Sequence, residues 1–380
     1  PPDGFQPLTT ANTRPVNVIS RPDQFVGVTT YSGSTGTGTI KDDNINFTPD
    51  FVWVKDRGGT EPHALYDTVR GAAGNGNFYR LSSNTTNGNN SPTNELTSMI
   101  RGGFTANNNG HIYYNGKYYV SWMWKAGGSK NTFNIDDVGY ASAAAAGLDG
   151  GNINPTGCSI GTQQGFSILK YAGNQGTGQT LNHGLGEIPD FVICKNLGTS
   201  YNWFIWHESF GNGADAAIYF TNAAKSTGYN TQPFGTFTTS SLAFNNNDGV
   251  NGNYNYICYA WKNVPGLQKF GSYSGNSNAD GSFVELGFRP ALLWLKRTDS
   301  TGNWVILDTR RNPSNPVTIS AYADSNADAN YDPGQDWADI LSNGFKLRAT
   351  YGEVNVGSYI YCAWAEAPTV DLYGGGANAR

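Results

Sequence analysis

One segment of the chain occurs three times. Pro49–Val52 returns unchanged as Pro189–Val192, and a looser copy runs from Pro290 to Leu293. Each copy reaches a lysine six residues after its proline, at Lys55, Lys195 and Lys296. Self-similarity of this kind indicates one structural module written several times. Repetition favours assembly and display over a single reactive centre.

Other landmarks keep the same order in every copy. A polar residue follows each proline by 18 positions, and each copy closes with an aromatic run: Tyr119–Trp124, Tyr256–Trp261 and Tyr359–Trp364. The landmarks predict three modules at residues 25–126, 165–266 and 267–368. The remaining segments are predicted to be an extended N-terminal arm (1–24), a Gly/Ala-rich linker or insertion (127–164) and a Gly-rich tail (369–380).

Composition and alternation predict an all-β fold. Only 14% of the residues are charged and the chain holds 49 glycines, a balance typical of many strands and turns. In the first closing run, Val120, Trp122 and Trp124 share one face of a strand and are all apolar, so that face is expected to meet the core. We therefore expect three tandem antiparallel β-sandwich modules, jelly-roll or lectin-like, in a row.

Charge and hydropathy exclude some partners. A net charge of −5 without a basic stripe argues against nucleic acid. No apolar run approaches the roughly 20 residues that a membrane-spanning helix needs. The opening Pro1-Pro2-Asp3-Gly4 predicts a processed product or a part of a longer protein.

The residues that could carry chemistry favour structural roles. The four cysteines do not recur module by module, so Cys194 is expected to pack as a small apolar residue, and no disulfide scaffold, metal site or cofactor is expected. Glycoside cleavage needs two carboxylates. Asp67 and Asp308 occupy equivalent positions in the first and third modules, but the middle module has His207 there. We expect Asp67 to pair with Arg70, and Asp308 with Arg310 or Arg311. No catalytic residue, and no enzyme, is predicted.

Carbohydrate binding is the stronger candidate because sugars stack on aromatic rings. Trp124, Trp261 and Trp364 recur, as do Trp203 and Trp304 at the position of His63, so these are predicted to pack inside. Trp206 and Trp337 do not recur. They are predicted to contact a glycan, together with the loop residues Tyr113 and Tyr114. The recurring lysines are predicted to serve the architecture of the module.

Several segments together resemble a family of repeated domains in the virion proteins of tailed bacteriophages, common in phages of aquatic bacteria. These segments are Asp3–Asn12, Pro49–Lys55, Tyr66–Gly71, Leu81–Thr86, Asn131–Tyr140, Asp280–Phe283, Gly287–Pro290 and Leu341–Leu347. In longer members, a segment similar to Asp3–Asn12 follows a lectin-like sandwich domain.

The resemblance implies a structural and adhesive component of a phage virion, as fibre, tail or capsid decoration, on the particle surface. It implies assembly with other virion proteins and possible attachment to a host-surface glycan, and we expect a homotrimer. Two alternatives stay open: a glycan-binding or glycan-degrading receptor-binding tail protein, and a bacterial surface adhesin.

Overall fold

A computed structural model describes residues 18–229, 231–330, 334 and 336–368. It confirms the all-β fold with several antiparallel sheets. The helical segments in this described part are two short 3₁₀ helices, Pro22–Gln24 and Glu208–Phe210. The predicted tail and most of the predicted N-terminal arm lie outside the described residues.

Unit 1 is the first set of strands. Its members are β1 (Val26–Ser32), β2 (Gly38–Lys41), β3 (Phe51–Asp56), β4 (Ala64–Asp67), β5 (Leu96–Ile100), β6 (Gly103–Ala106) and β7 (Tyr118–Trp124). One sheet has the order β1-β7-β3-β4 and the other has the order β2-β6-β5. All neighbouring strands in both sheets are antiparallel.

Unit 2 includes three strands from the predicted linker. Its members are β8 (Phe133–Ile135), β9 (Val138–Tyr140), β10 (Pro155–Gly161), β11 (Phe166–Ala172), β12 (Gln179–Asn182), β13 (Phe191–Asn196), β14 (Phe204–His207), β15 (Ala216–Ala217), β16 (Ser226–Thr227), β17 (Ser241–Phe244) and β18 (Asn255–Trp261). The main sheet has seven strands in the order β14-β13-β18-β11-β10-β8-β9, and β12-β17 and β15-β16 form pairs. The pairing of β10 with β8 is parallel.

Unit 3 completes the chain. Its members are β19 (Gln268–Ser274), β20 (Phe283–Glu285), β21 (Phe288–Arg297), β22 (Val305–Asp308), β23 (Ala321–Tyr322), β24 (Ala338–Leu341), β25 (Gly344–Leu347) and β26 (Ser358–Pro368). Its sheets have the orders β19-β26-β21-β22-β23 and β20-β25-β24. The strand order of the main sheet thus recurs as β1-β7-β3-β4, β11-β18-β13-β14 and β19-β26-β21-β22.

Each closing strand is buried on both faces. On β7, Tyr119 and Met123 pack with the second sheet of unit 1, in a cluster that includes Phe104 from β6. Val120, Trp122 and Trp124 point the other way, into a core that also contains residues of units 2 and 3. The apolar face therefore meets a core, as predicted, but that core lies between the units.

A cluster of tryptophans occupies the middle of this shared core. The rings of Trp124, Trp261 and Trp364, one from each unit, lie 5.4 to 6.5 Å apart. Trp53 and Trp294 extend the cluster, with 4.9 Å between their ring centres. The units consequently surround an approximate threefold axis, because the apolar face of each closing strand is covered by residues of the other units. Their arrangement as three tandem sandwich modules stays a prediction.

The predicted linker is largely part of unit 2. Strand β10 pairs with the edge of β11 and continues the sheet, and β8 and β9 form a hairpin at its far end. The alanine run at 143–146 forms turns, with Ala143 and Ala146 packed on the core beside buried Leu148. In the arm, Ile19 is buried and its N–H donates to Pro265 O at 3.0 Å.

Candidate functional site

His63, Trp203 and Trp304 occupy equivalent positions in the three units. Each of them contacts another unit, and together these contacts form a closed ring. Trp203 Nε1 of unit 2 donates to Ser82 O of unit 1 at 3.0 Å. Trp304 Nε1 of unit 3 donates to Tyr219 O of unit 2 at 2.7 Å. His63 Nε2 of unit 1 lies 2.9 Å from Tyr322 O of unit 3, and its Nδ1 accepts from Trp53 Nε1. The predicted packing role of Trp203 and Trp304 is confirmed.

A second ring of contacts uses the position of Asp67. The Asp67 carboxylate accepts a hydrogen bond from Tyr259 of unit 2 at 2.7 Å. The Asp308 carboxylate accepts one from Trp122 Nε1 of unit 1 at 3.1 Å. His207 Nε2 lies 3.3 Å from Tyr361 O of unit 3. Each unit thus contacts the next through an equivalent residue.

Both aspartates are held by buried arginines, as predicted. Arg70 Nε donates to Asp67 at 2.5 Å, and Arg311 Nε donates to Asp308 at 2.6 Å. All four side chains are inaccessible to solvent. In unit 2 the equivalent of the arginine is Phe210, so His207 occupies its site without an ion pair. Burial lowers the pKa of His207 to about 3 and keeps the ring neutral.

The three recurring lysines are buried and bind backbone carbonyls, which confirms their architectural role. Lys55 Nζ donates to Asp56 O and Gly59 O, and Lys296 Nζ donates to Gly302 O. Lys195 Nζ crosses between units, to Thr86 O at 2.9 Å and Tyr201 O at 2.8 Å. Burial lowers the pKa of Lys55 and Lys296 to about 8, and that of Lys195 to about 7.

An open cavity of about 600 Å³ lies where the three units meet at one end of the axis, and we call it the axial cup. It is lined by Ser83, Asn84, Thr85, Thr86, Asn87, Asn202, Trp203, Phe220, Thr221, Asn222, Asn303, Asp324 and Ser325. Phe220 contacts Trp53 and Trp294 on its inner side, which places the cup directly above the aromatic core.

The cup is built from equivalent positions of the three units. The equivalent strands β4, β14 and β22 each pair, at the same position along the strand, with one residue of their own unit. These residues are Leu81, Ile218 and Ala321. The chain then continues into the cup as Ser83–Thr85 in unit 1, Phe220–Asn222 in unit 2 and Asp324–Ser325 in unit 3. Sequence reasoning did not identify these residues, because the loops before them differ in length and the lining side chains differ in type.

Two further hollows adjoin the cup. The tyrosine hollow, of about 410 Å³, is lined by Thr86, Ser200, Tyr201, Asn202, Phe204, Tyr219, Tyr229 and Asn247. The amide hollow, of about 380 Å³, is lined by Asn87, Gly88, Asn89, Asn90, Leu197, Gly198, Thr199 and Ser200. The tyrosine hollow shares Thr86 and Asn202 with the cup, and the amide hollow shares Asn87 with it, so the three form one continuous polar surface.

This surface carries little charge. Asp324 is the one carboxylate among the lining residues, and no lysine or arginine is among them. Burial raises the pKa of Asp324, although its carboxylate accepts a hydrogen bond from Trp304 N at 2.8 Å. Acid–base cleavage of a glycoside requires a second carboxylate on the other side of the bond. No second carboxylate is among the residues that line the cup and its two hollows.

Trp206 and Trp337 are not available to a ligand, contrary to the prediction. Trp206 is 2% exposed and its Nε1 donates to Gly211 O at 3.4 Å. Trp337 is 0% exposed and its Nε1 donates to Thr318 O at 2.9 Å. Trp206 packs edge-on against Phe237 within unit 2, and Trp337 packs against Tyr322 and Tyr351 within unit 3.

Tyr113 and Tyr114 lie in a loop of unit 1. Tyr114 is 49% exposed and Tyr113 is half-buried. Tyr113 pairs with Asn109 through two backbone hydrogen bonds, at 2.7 and 2.8 Å. Neither tyrosine lines the axial cup or its two hollows. Their contact with a glycan stays a prediction, separate from the site at the axis.

Two features are absent from residues 18–368, the undescribed positions left aside. No group of three or more histidine, cysteine, aspartate and glutamate side chains that could hold a metal ion is found there. No helix in that range has the length and apolarity needed to cross a membrane. The four cysteines are free and buried, and Cys194 packs as a small core residue, as predicted.

Comparison with known proteins places the chain in a family. No curated protein and no solved structure matches the chain. A family model matches residues 21–368, from the first 3₁₀ helix to the end of β26, and its description is a domain of unknown function. The matched segment therefore includes all three units and the strands of the predicted linker. The chain belongs to the DUF7483 family.

Proposed function

We propose that this protein is a structural and adhesive component of a bacteriophage virion, exposed on the particle surface. The link to phages rests on the resemblance of segments such as Pro49–Lys55 and Leu341–Leu347 to virion domains. The role in display rests on how the chain uses its repeated residues.

One observation carries the role in display: the recurring residues hold the units together. The tryptophans at the ends of the closing strands meet in the shared core, and the lysines bind carbonyls. The position of His63 joins each unit to a neighbour. A protein that repeats its packing residues and varies its loops is suited to presenting a surface on a rigid body.

Oligomerisation with further copies is part of the proposal, with constraints on the interface. A homotrimer of this chain would need faces other than those carrying Trp124, Trp261 and Trp364, because one chain already buries those against each other. Exposed apolar side chains away from the axis, such as Tyr118 (60%), Val138 (52%) and Phe283 (47%), belong to surfaces that remain open.

The test is to locate the protein on particles. Purified phage particles that carry the gene should be labelled with gold-conjugated antibody to the folded protein and examined by electron microscopy. We expect labelling at a fixed position on intact particles, and mass spectrometry should find the chain among the virion proteins. A protein that is abundant in infected cells but missing from purified particles would contradict the proposal.

A further inference from the structure

We infer that the axial cup, extended by the tyrosine hollow, is a binding site for an uncharged oligosaccharide. The inference deepens the adhesive role proposed above and rests on it for its biological setting. The physical claim concerns the isolated chain, so it can be tested without a particle.

The first argument is the chemistry of the lining. Asparagine amides supply both donors and acceptors, and serine and threonine hydroxyls do the same. Sugar hydroxyls need this combination of partners. The side-chain amides of Asn202 and Asn222 make no hydrogen bond to another described residue, although both residues are exposed at the cup. They are therefore ready to bind a ligand without losing an internal contact.

The second argument is the aromatic surface beside the cup. Tyr201, Tyr219 and Tyr229 are half-buried around the tyrosine hollow. Tyr219 and Tyr229 join their hydroxyls at 2.7 Å, and Tyr219 packs edge-on against Phe204 at 4.9 Å. Aromatic rings that are fixed in this way offer flat apolar faces for the C–H face of a sugar. One ring system lies next to one amide-lined cup, which suits a chain of sugars better than a single sugar.

The third argument is charge and size. An acidic sugar would need a cation in the lining to pair with its carboxylate or sulfate, and the lining residues include Asp324 but no lysine or arginine. The volumes of about 600 and 410 Å³ fall in the range of roughly 300–1,000 Å³ that is typical of ligand sites. An uncharged oligosaccharide fits these constraints.

The fourth argument is preorganisation. Lys195 ties Thr86 to Tyr201 beneath the junction of the cup and the tyrosine hollow. Trp203 is held by Ser82 O, and Ser83 Oγ donates to Ala323 O at 2.5 Å. The site is therefore fixed by contacts between all three units, and little ordering is needed when a ligand binds.

The experiment uses the full chain on an array of uncharged hexose, deoxyhexose and N-acetylhexosamine oligomers, with uronate and sulfated oligomers on the same surface. We expect retention on one or more uncharged oligomers and weaker retention on acidic ones. The best uncharged oligomer is then titrated by calorimetry against three proteins: the unaltered chain, the double variant Asn202→Ala/Asn222→Ala, and Asn115→Ala. Asn115 is an exposed asparagine in a unit 1 loop outside the lining.

The double variant should raise Kd by roughly 5- to 100-fold, because two hydrogen bonds to the ligand are lost, while Asn115→Ala should leave Kd unchanged. Hydrogen exchange on the unaltered chain should show protection at residues 83–87 and 219–222 when the oligomer is bound. The inference is overturned by the absence of any retained uncharged oligomer, by equal retention of acidic oligomers, or by protection elsewhere. Failure of antibody to label particles would contradict the virion role and leave this result standing.

Discussion

At the residue scale, the position of Asp67 holds a buried polar side chain in all three units. This side chain is stabilised in two different ways. Units 1 and 3 bury an ion pair, Asp67 with Arg70 and Asp308 with Arg311, and each arginine also donates to backbone carbonyls. Unit 2 buries the neutral His207, whose Nδ1 accepts from Ser209 N at 3.2 Å. Removing one partner of a buried pair is costly because the other charge stays behind.

The first prediction concerns this pair. Arg70→Met should lower the free energy of unfolding by about 3–5 kcal/mol, because the Asp67 carboxylate loses its cation in a site closed to water. The double variant Asp67→His/Arg70→Phe, which copies unit 2, should cost less than Arg70→Met alone. Urea denaturation measures both. A cost below about 1 kcal/mol for Arg70→Met would show that the pair is not needed.

The second prediction concerns pH. Burial lowers the pKa of Lys195 to about 7 in the folded chain, whereas an unfolded lysine has a pKa of about 10.4. Between these values the unfolded chain binds the proton more strongly, so stability should rise as pH increases. The contribution of Lys195 from pH 7 to 9.5 is about 2–3 kcal/mol.

Lys195→Met should therefore flatten the rise in unfolding free energy between pH 7 and 9.5. The variant also leaves Thr86 O and Tyr201 O without this donor, and that loss affects both pH values similarly. Lys130→Met, at an exposed position, is the control and should keep the slope of the unaltered chain. An unchanged slope in Lys195→Met would show that this lysine is solvated in the folded chain.

At the element scale, the closing strands separate two cores. Strand β7 has one face in the core of unit 1 and the other in the core between units. In the shared core the indole N–H groups of Trp124, Trp261, Trp294 and Trp364 have no hydrogen-bond partner among the described residues. Each unmet N–H costs about 1–3 kcal/mol, so the edge-to-face packing of these rings has to offset it.

The third prediction compares neighbours on one strand. Trp124→Ala should cost about 3–5 kcal/mol and Met123→Ala about 2–5 kcal/mol, because both side chains are completely buried although they point in opposite directions. Tyr118→Ala, at the exposed start of the same strand, should change stability by less than about 0.5 kcal/mol. Chemical denaturation of the three variants checks this. A low cost at Met123 or Trp124 would mean that one face of β7 is open.

The alternation of side chains along the strands predicted part of this arrangement, but it could not predict the rest. It identified which side chains of β7 share a face, but not whether a second sheet or another unit covers that face. Arginines close to Asp67 and Asp308 in the sequence were enough to predict the pair of Asp67 with Arg70, but left the partner of Asp308 open between Arg310 and Arg311, of which the structure shows Arg311. Lack of recurrence was a poor guide to ligand contacts, since Trp206 and Trp337 fill pockets of single units. The axial cup was missed because its residues come together only when three units meet.

At the scale of the whole molecule, the shared core makes the units depend on one another. Its buried members include Trp53 from unit 1, Trp261 from unit 2 and Trp294 from unit 3. The contacts at the positions of His63 and Asp67 run from each unit to another and close a ring. A unit taken alone would expose the apolar face of its closing strand to water.

The fourth prediction follows from this dependence. The chain should unfold in one cooperative transition, with tryptophan fluorescence and circular dichroism changing together, because nine of the ten tryptophans are buried in one core shared by the three units. A fragment of residues 25–126 should not reach a native fold. Two or more separated transitions, or a folded fragment with dispersed NMR signals, would show that the units are independent.

The ring of contacts has a consequence for biosynthesis. The partners of His63 and Trp122 include Tyr322 and Asp308, which the ribosome adds more than 180 residues later. Until those residues emerge, the incomplete chain exposes its apolar indole rings to solvent. Such surfaces on a nascent chain are prone to aggregation. Slowing translation before Asp308 should therefore increase the demand for chaperones in the cell that makes this protein.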